Sequence, residues 1–192
     1  LSSSSAASDV YKRQNLLLAE IGIKERIITI EDTKELSCDH PNRVALVASR
    51  NSQVELPLEI RDLVKNSLRM RPDRIVIGEV RGKEAFDLLQ AMNTGHDGSM
   101  STIHANGPIE AISRLESLFT FAGHDIPIPV IRKQVAQAVD FIIHLGKSKL
   151  GERIVTKVYE VTGMEGDVIV TQSIGEMTEN GPAFTGLVPT TI

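Results

Sequence analysis

Apolar residues along this chain fall into short continuous runs that alternate with stretches of helical period. Leu16, Leu17, Ala19 and Glu20 suit the end of a helix that Gly22 terminates, and Arg26 to Ile30 reads as a strand. Val44 to Val47 forms a second apolar run after a polar stretch with Asp39, Pro41 and Asn42. Pro57 opens a helix whose Ile60, Leu63, Val64 and Leu68 recur at three- and four-residue steps, and Pro72 closes it. The strand Ile75 to Ile77 leads to a helix at about Lys83 to Asn93, with Ala85, Phe86, Leu89 and Met92 on one face, and then to a short strand at Ser99 to Ile103. Helices from Asn106-Gly107-Pro108 and over Val130 to Ala138 precede a strand at Phe141 to Leu145. The last third is β-rich, with Arg153 to Val161 and Asp167 to Thr171 flanking a Gly163/Gly166 loop that predicts an antiparallel hairpin. Alternating strands and helices followed by a hairpin predict an α/β core with a small β extension.

Length and composition narrow the picture. At 192 residues and 41% hydrophobic content the chain suffices for one packed domain and a small appendage. Its net charge of -4 argues against a dedicated nucleic-acid binder, which carries a basic surplus. One cysteine, Cys38, excludes an intrachain disulfide and a multi-cysteine zinc module, and a buried thiol is its plain reading. No apolar run approaches the roughly 20 residues that span a bilayer, so membrane association is expected to be peripheral or through partners. Residues 1–14 are Ser/Ala-rich without apolar period and are expected to be disordered. That segment also resembles translated adapter or vector sequence, which predicts a natural chain starting near Asn15. The expected division is a non-native segment at 1–14, a core at 15–150 and a β extension with tail at 151–192.

Candidate chemistry follows the strands. Asp73 to Gly82 (DRIVIGEVRG) is an apolar strand ending in an acid within a Gly- and Arg-rich turn, which is how a nucleotide site presents a carboxylate. Glu31-Asp32 follows the first strand, and Gly95-His96-Asp97-Gly98 with Ser101-Thr102-Ile103-His104 surrounds another. In an open parallel sheet the carboxyl ends of strands share one edge, so these clusters are expected to converge. Phosphoryl transfer needs negative charge to hold magnesium or orient water, and positive charge to stabilise the phosphates. Glu31 or Glu79 is suited to polarise water, the other to hold magnesium, and Arg69, Arg71, Arg74 or Arg81 to face phosphates. His104 is suited to sense a γ-phosphate. Each cluster has a plainer reading as a helix cap or solvated turn.

Two signals are discounted. His96, Asp97 and His104 match no common zinc spacing. Gly146-Lys147-Ser148 looks like the tail of a phosphate loop, but Phe141 stands where that loop requires glycine, so a turn toward the hairpin explains it better. No segment fits G-x-x-x-x-G-K-[ST].

Together, ITIEDTKEL (Ile28 to Leu36), LRMRPDRIVIGEVRG (Leu68 to Gly82) and LLQAMNTGHDGSMSTIHAN (Leu88 to Asn106) resemble the type II/IV secretion ATPase superfamily, nearest its CpaF-like branch of Tad-type pili. The resemblance spans about Asn15 to Ile174. It implies a RecA-like αβα P-loop NTPase core, here partial and truncated at its N-terminus, in a cytoplasmic hexameric ring peripheral to the inner membrane. The implied partners are inner-membrane pilus or secretion platform proteins, and the implied activity is ATP hydrolysis, with ATP and Mg2+ as cofactors. By resemblance Glu31 and Asp32 form the acidic box, with Glu31 as water-activating base, and Glu79 holds the Walker B position near magnesium through water. Gly95, His96, Thr102 and His104 fall in the histidine box, His104 contacting the γ-phosphate, and Arg81 matches a motif arginine.

Lacking the phosphate loop and the family's N-terminal domain, the chain is expected to be nearly inactive alone. Two competing expectations are a conjugative DNA-transfer ATPase of the same superfamily and a non-catalytic ring or interaction module. Met92 to Gly98 favours the pilus branch.

Overall fold

The computed structural model describes residues 3–49, 57–123, 125–148, 151–179 and 181–190, and divides them between two compact units, Leu1–Ile103 and His104–Ile192. The first unit is built on a four-stranded parallel sheet in the order β2-β1-β3-β4. Its strands are β1 (Ile27–Glu31), β2 (Arg43–Val47), β3 (Arg74–Ile77) and β4 (Met100–Ser101). In β1 all five residues are buried, and in β3 Ile75, Val76 and Ile77 are fully buried, so both faces of these central strands are covered. That environment selects the continuous apolar runs visible in the sequence. Parallel strands require crossovers. α2 (Ile60–Ser67) connects β2 to β3 and buries Leu63, Val64 and Ser67, while α3 (Glu84–Met92) connects β3 to β4 and buries Ala85, Leu88, Leu89 and Ala91.

α2 begins three residues after Pro57, where the Asp62 carboxylate accepts the Glu59 amide at 3.1 Å. A 3-10 turn, Leu68–Met70, follows it and ends at Arg71, which is left-handed at φ 54.

The opening segment departs from expectation. Ser3–Ala19 forms one helix, α1, extending the anticipated helix end back through residues expected to be disordered. Ser3 to Gln14 contains neither glycine nor proline, so nothing interrupts helical propagation. Tyr11 and Gln14 are buried, and Gln14 Nε2 donates to the Ile77 carbonyl at 3.1 Å.

The second unit holds α4 (Pro108–Phe121), α5 (Ile128–Ala138) and an antiparallel sheet in the order β5-β6-β7-β8. Its strands are β5 (Phe141–Lys147), β6 (Arg153–Glu165), β7 (Val168–Thr178) and β8 (Gly181–Phe184). The anticipated β6–β7 hairpin is present, turning at Gly166 with φ 58. It is longer than expected and flanked on both sides. β5, assigned from sequence to the α/β core, pairs antiparallel with β6, and β8 adds a fourth strand. Gly146 and Lys147 end β5, and Ser148 N donates to the Glu152 carbonyl at 2.7 Å, so the apparent phosphate-loop tail belongs to a strand and its turn.

Glu160 of β6 is fully buried and organises this unit's tail. It accepts from Gln172 Nε2, from Thr190 N at 2.6 Å and from Thr190 Oγ1 at 2.7 Å. Removing a buried acceptor leaves its donors without a partner, at about 1–3 kcal/mol. Glu160→Ala is therefore expected to destabilise the second unit by that amount in urea unfolding, and to make the chain after Thr185 the first site of limited proteolysis.

Candidate nucleotide site

The register of the first unit's sheet brings two distant sequence clusters together. Ile30 pairs with Ile77, and Gly78 N donates to the Ile30 carbonyl at 2.9 Å, so Glu31 and the Gly78-Glu79 turn leave neighbouring strands side by side. A Cβ on Gly78 would meet Glu31 Cγ at 3.3 Å, a close approach that a larger residue would crowd.

Glu31 is 2% exposed at the end of β1. Its Oε1 accepts the amides of Glu35 and Leu36, each at 2.8 Å, as the chain wraps back around the carboxylate. Leu36, 1% exposed, anchors that wrap in the core. Two amide donors on one oxygen fix the carboxylate plane. Its other oxygen, Oε2, is buried and has no hydrogen-bond partner. Such an oxygen costs about 1–3 kcal/mol, and a group left so in a native fold points to a missing ligand or water.

The second cluster is fixed by backbone and side-chain contacts. Thr102 Oγ1 donates to the Gly78 carbonyl at 2.6 Å, and Val80 N donates to the Thr102 carbonyl at 2.9 Å, so the chain after β4 clamps the turn. Glu84, in the first turn of α3, accepts the Arg81 amide at 2.6 Å and the Gly82 amide at 2.8 Å through Oε1. Arg81 joins the two clusters, with Nη2 on Glu79 Oε2 at 2.5 Å and Nη1 3.7 Å from Asp32 Oδ2. Its guanidinium is raised further above its ordinary range, chiefly by the hydrogen bond to Glu79.

Glu31, Asp32 and Glu79 all act on Glu35, and Arg81 acts on it in the opposite sense. The Glu35 carboxyl is pushed up by burial first and then by Glu31, Asp32 and Glu79. The Tyr11 phenol is pushed up to about 12 by burial and by the same carboxylates. Neither Glu35 nor Tyr11 was singled out from sequence, although Glu35 lies four residues after Glu31 in the quoted ITIEDTKEL.

Glu31, Asp32, Glu79, Arg81 and the Thr102 clamp therefore belong to one edge of the sheet. His96 does not join them. It lies in the loop between α3 and β4, where its Nδ1 meets the Ala91 carbonyl at 2.9 Å and its own carbonyl accepts Ser99 Oγ at 2.7 Å. Ser99 Oγ in turn accepts the Ile75 amide at 2.9 Å, which fixes this loop at the amino end of β3. Arg69 and Arg71 precede β3 and Arg74 begins it, all at that same amino edge, so of the four arginines proposed to face phosphates only Arg81 reaches the Glu79 and Asp32 carboxylates. His104 opens the second unit, exposed in an open cleft with Ala105, Asn106, Glu110 and Arg114.

The family described as Type II/IV secretion system protein matches residues 14–165. A putative conjugal transfer protein of Mycobacterium tuberculosis is 42% identical over 153 residues, covering 79% of this chain and 43% of that protein. The conjugal transfer protein TrbB of Rhizobium radiobacter is 34% identical over 169 residues, covering 86% of this chain and 49% of its own length. Among solved structures, the VirB11 ATPase of the Brucella suis type IV secretion system, in complex with sulphate, superposes with a TM-score of 0.70 at 30% identity, covering 80% of this chain and 45% of that one. The chain spans less than half the length of these relatives. It belongs to the type II/IV secretion system protein family, and its α/β architecture is that of a partial RecA-like core.

The raised Glu35 carboxyl, pushed up by burial first and then by its acidic neighbours, gives a stability test. A carboxyl raised in the folded state destabilises the fold when ionised, and this penalty disappears as pH falls through the raised value. Glu35→Gln is expected to stabilise the first unit at pH 7 by less than about 1 kcal/mol, because an exposed group is screened by solvent. Calorimetry should show the difference shrinking to nothing toward pH 4.

Proposed function

We propose that the intact protein is an ATP-hydrolysing motor of type IV secretion or conjugal transfer, and that the carboxyl edge of the parallel sheet is the hydrolytic half of its nucleotide site. The observation that carries this reading is Glu31, a buried carboxylate held by two backbone amides with its second oxygen unpartnered. Similarity to conjugal transfer and type IV secretion proteins favours secretion or conjugation over the Tad-pilus branch expected from sequence.

The residues present fit a magnesium nucleotide. Carboxylate oxygens are the hard donors that magnesium prefers, and it keeps several waters when bound. Glu79 would meet the ion through one of those waters. When bound, magnesium neutralises the developing phosphate charge.

This chain's own residues do the rest. Glu31 Oε2 accepts a hydrogen bond from the attacking water and takes its proton as the oxygen bonds to the γ-phosphorus and the bond from that phosphorus to the β–γ bridging oxygen breaks, the electron pair leaving with ADP. The Glu35 and Leu36 amides keep that oxygen aimed, so no reorientation accompanies the transfer. Arg81 holds the Glu79 carboxylate and offsets part of the negative charge that would otherwise repel a triphosphate. Thr102 acts as a positioning residue through the Gly78 carbonyl.

Among the described residues no helix is long and apolar enough to cross a membrane, and the motor is proposed to act as a homo-oligomer against membrane-bound partners. In the full-length protein, Glu31→Gln should lower kcat by about 10²–10⁴ while leaving KM nearly unchanged, as loss of a general base does. Glu79→Gln should abolish turnover as well. Steady-state hydrolysis near wild-type levels in either variant would remove the basis of this reading.

A further inference from the structure

With the carboxyl edge read as a magnesium site, we propose that Arg81 and the divalent cation exchange on the same carboxylates: the guanidinium leaves Glu79 and Asp32 when the metal binds and returns when it is lost. Arg81 spans two strand exits. It reaches Glu79 Oε2 through Nη2 at 2.5 Å and Asp32 Oδ2 through Nη1 at 3.7 Å, so one cation bridges the acids that follow β3 and β1. Carboxylate oxygens of this kind are the acceptors that a hydrated magnesium needs.

A guanidinium and a hydrated magnesium compete because they offer these acids the same thing. Each presents hydrogen-bond donors with positive charge behind them, and a carboxylate accepts from either. Both are not held at full strength together, since two cations a few ångströms apart repel and the divalent charge doubles the effect. Arg81 also leaves the acidic edge incompletely satisfied. Glu31, 2% exposed beside the Gly78 turn, keeps Oε2 buried without a hydrogen-bond partner, an acceptor that the waters of a metal ion fill and Arg81 does not.

The geometry of Arg81 suits exchange. Arg61, Arg74 and Arg132 each engage one carboxylate through Nε, at Asp87, Glu25 and Glu116, and all three are less exposed than Arg81. Arg81 uses only its terminal nitrogens, divided between two acids, with 59% of its side chain open to solvent. Its backbone is fixed all the same, because Glu84 Oε1 accepts the Arg81 and Gly82 amides at 2.6 and 2.8 Å. The side chain therefore swings on a fixed pivot while Glu79, 9% exposed, stays in place. Exposed side chains change rotamer within nanoseconds, so the swing adds no slow step. Exchange keeps Glu79 and Asp32 paired until the metal arrives, and frees an arginine as a metal-bound nucleotide brings phosphates for it to meet.

Manganese, which suits the same oxygens, is the probe, followed by the paramagnetic resonance of the free ion in this chain without nucleotide. Arg81→Ala should tighten manganese binding by about tenfold, within the range of coupling between sites. Arg81→Lys keeps the charge without the fork that bridges two acids, and should tighten binding by a smaller factor. Arg69→Ala removes the same charge at the opposite edge and should leave the affinity unchanged. In the unsubstituted chain, an arginine-specific dicarbonyl reagent read by mass spectrometry should modify Arg81 several-fold faster with magnesium present, and Arg69 at an unchanged rate. Equal or undetectable manganese binding in the unsubstituted chain and Arg81→Ala, or an Arg81 modification rate indifferent to magnesium, overturns the proposal. Neither result touches the Glu31→Gln kinetics of the full-length protein, so the ATPase reading stands or falls separately.

Discussion

Parallel pairing of β1 with β3 is the constraint from which the site follows. Because the strands run in the same direction with Ile30 beside Ile77, whatever leaves each strand emerges at one edge. Glu31 and Glu79 are brought together by that register, though they lie far apart in sequence. A one-residue slip would turn every buried side chain of β1 to the other face and move Glu31 away from the Gly78 turn. Burial on both faces of β1 and β3 opposes that slip, so the core that stabilises the unit also sets the position of its acids.

Burial and chemistry oppose one another at Glu31. A carboxylate with 2% exposure is expensive to desolvate, and two amide bonds to Oε1 offset only part of that cost. The remaining oxygen is buried without a hydrogen-bond partner in the protein, which fits a group that must take a proton from a bound water. Arg81 relieves some of the repulsion from Asp32 and Glu79. Burial first, and then the remaining acidic neighbours, push Tyr11 and Glu35 in the same direction.

Much of this was legible in the sequence, for physical reasons. Ile27 to Ile30 and Ile75 to Ile77 read as strands because central parallel strands need apolar residues on both faces. The Glu79 turn read as a site because its Gly and Arg composition suits close approach to anions. What failed was placement that depends on chain direction. Arg69 and Arg71 precede β3 and Arg74 begins it, so they lie at the edge opposite Glu79, and His96 follows α3, which has carried the chain back to that edge. The β5 run Phe141 to Leu145 reads like a core strand, since nothing in its residues reveals an antiparallel partner at Arg153 to Glu160. Gly181 to Phe184 lacks the β-branched residues that signal a strand, and only its pairing with β7 makes it one. The helix over Ser3 to Gln14 was missed because absent apolar periodicity was read as disorder, when a segment free of Gly and Pro can continue a neighbouring helix.

Hydrogen–deuterium exchange on the full-length protein, with and without magnesium and a non-hydrolysable ATP analogue, tests the central claim most directly. A nucleotide seated at the carboxyl edge requires slower exchange at the Glu35 and Leu36 amides and across Gly78 to Gly82 when the analogue is bound. Unchanged exchange in both turns, with protection elsewhere at saturating analogue, would contradict the assignment of this edge as the nucleotide site.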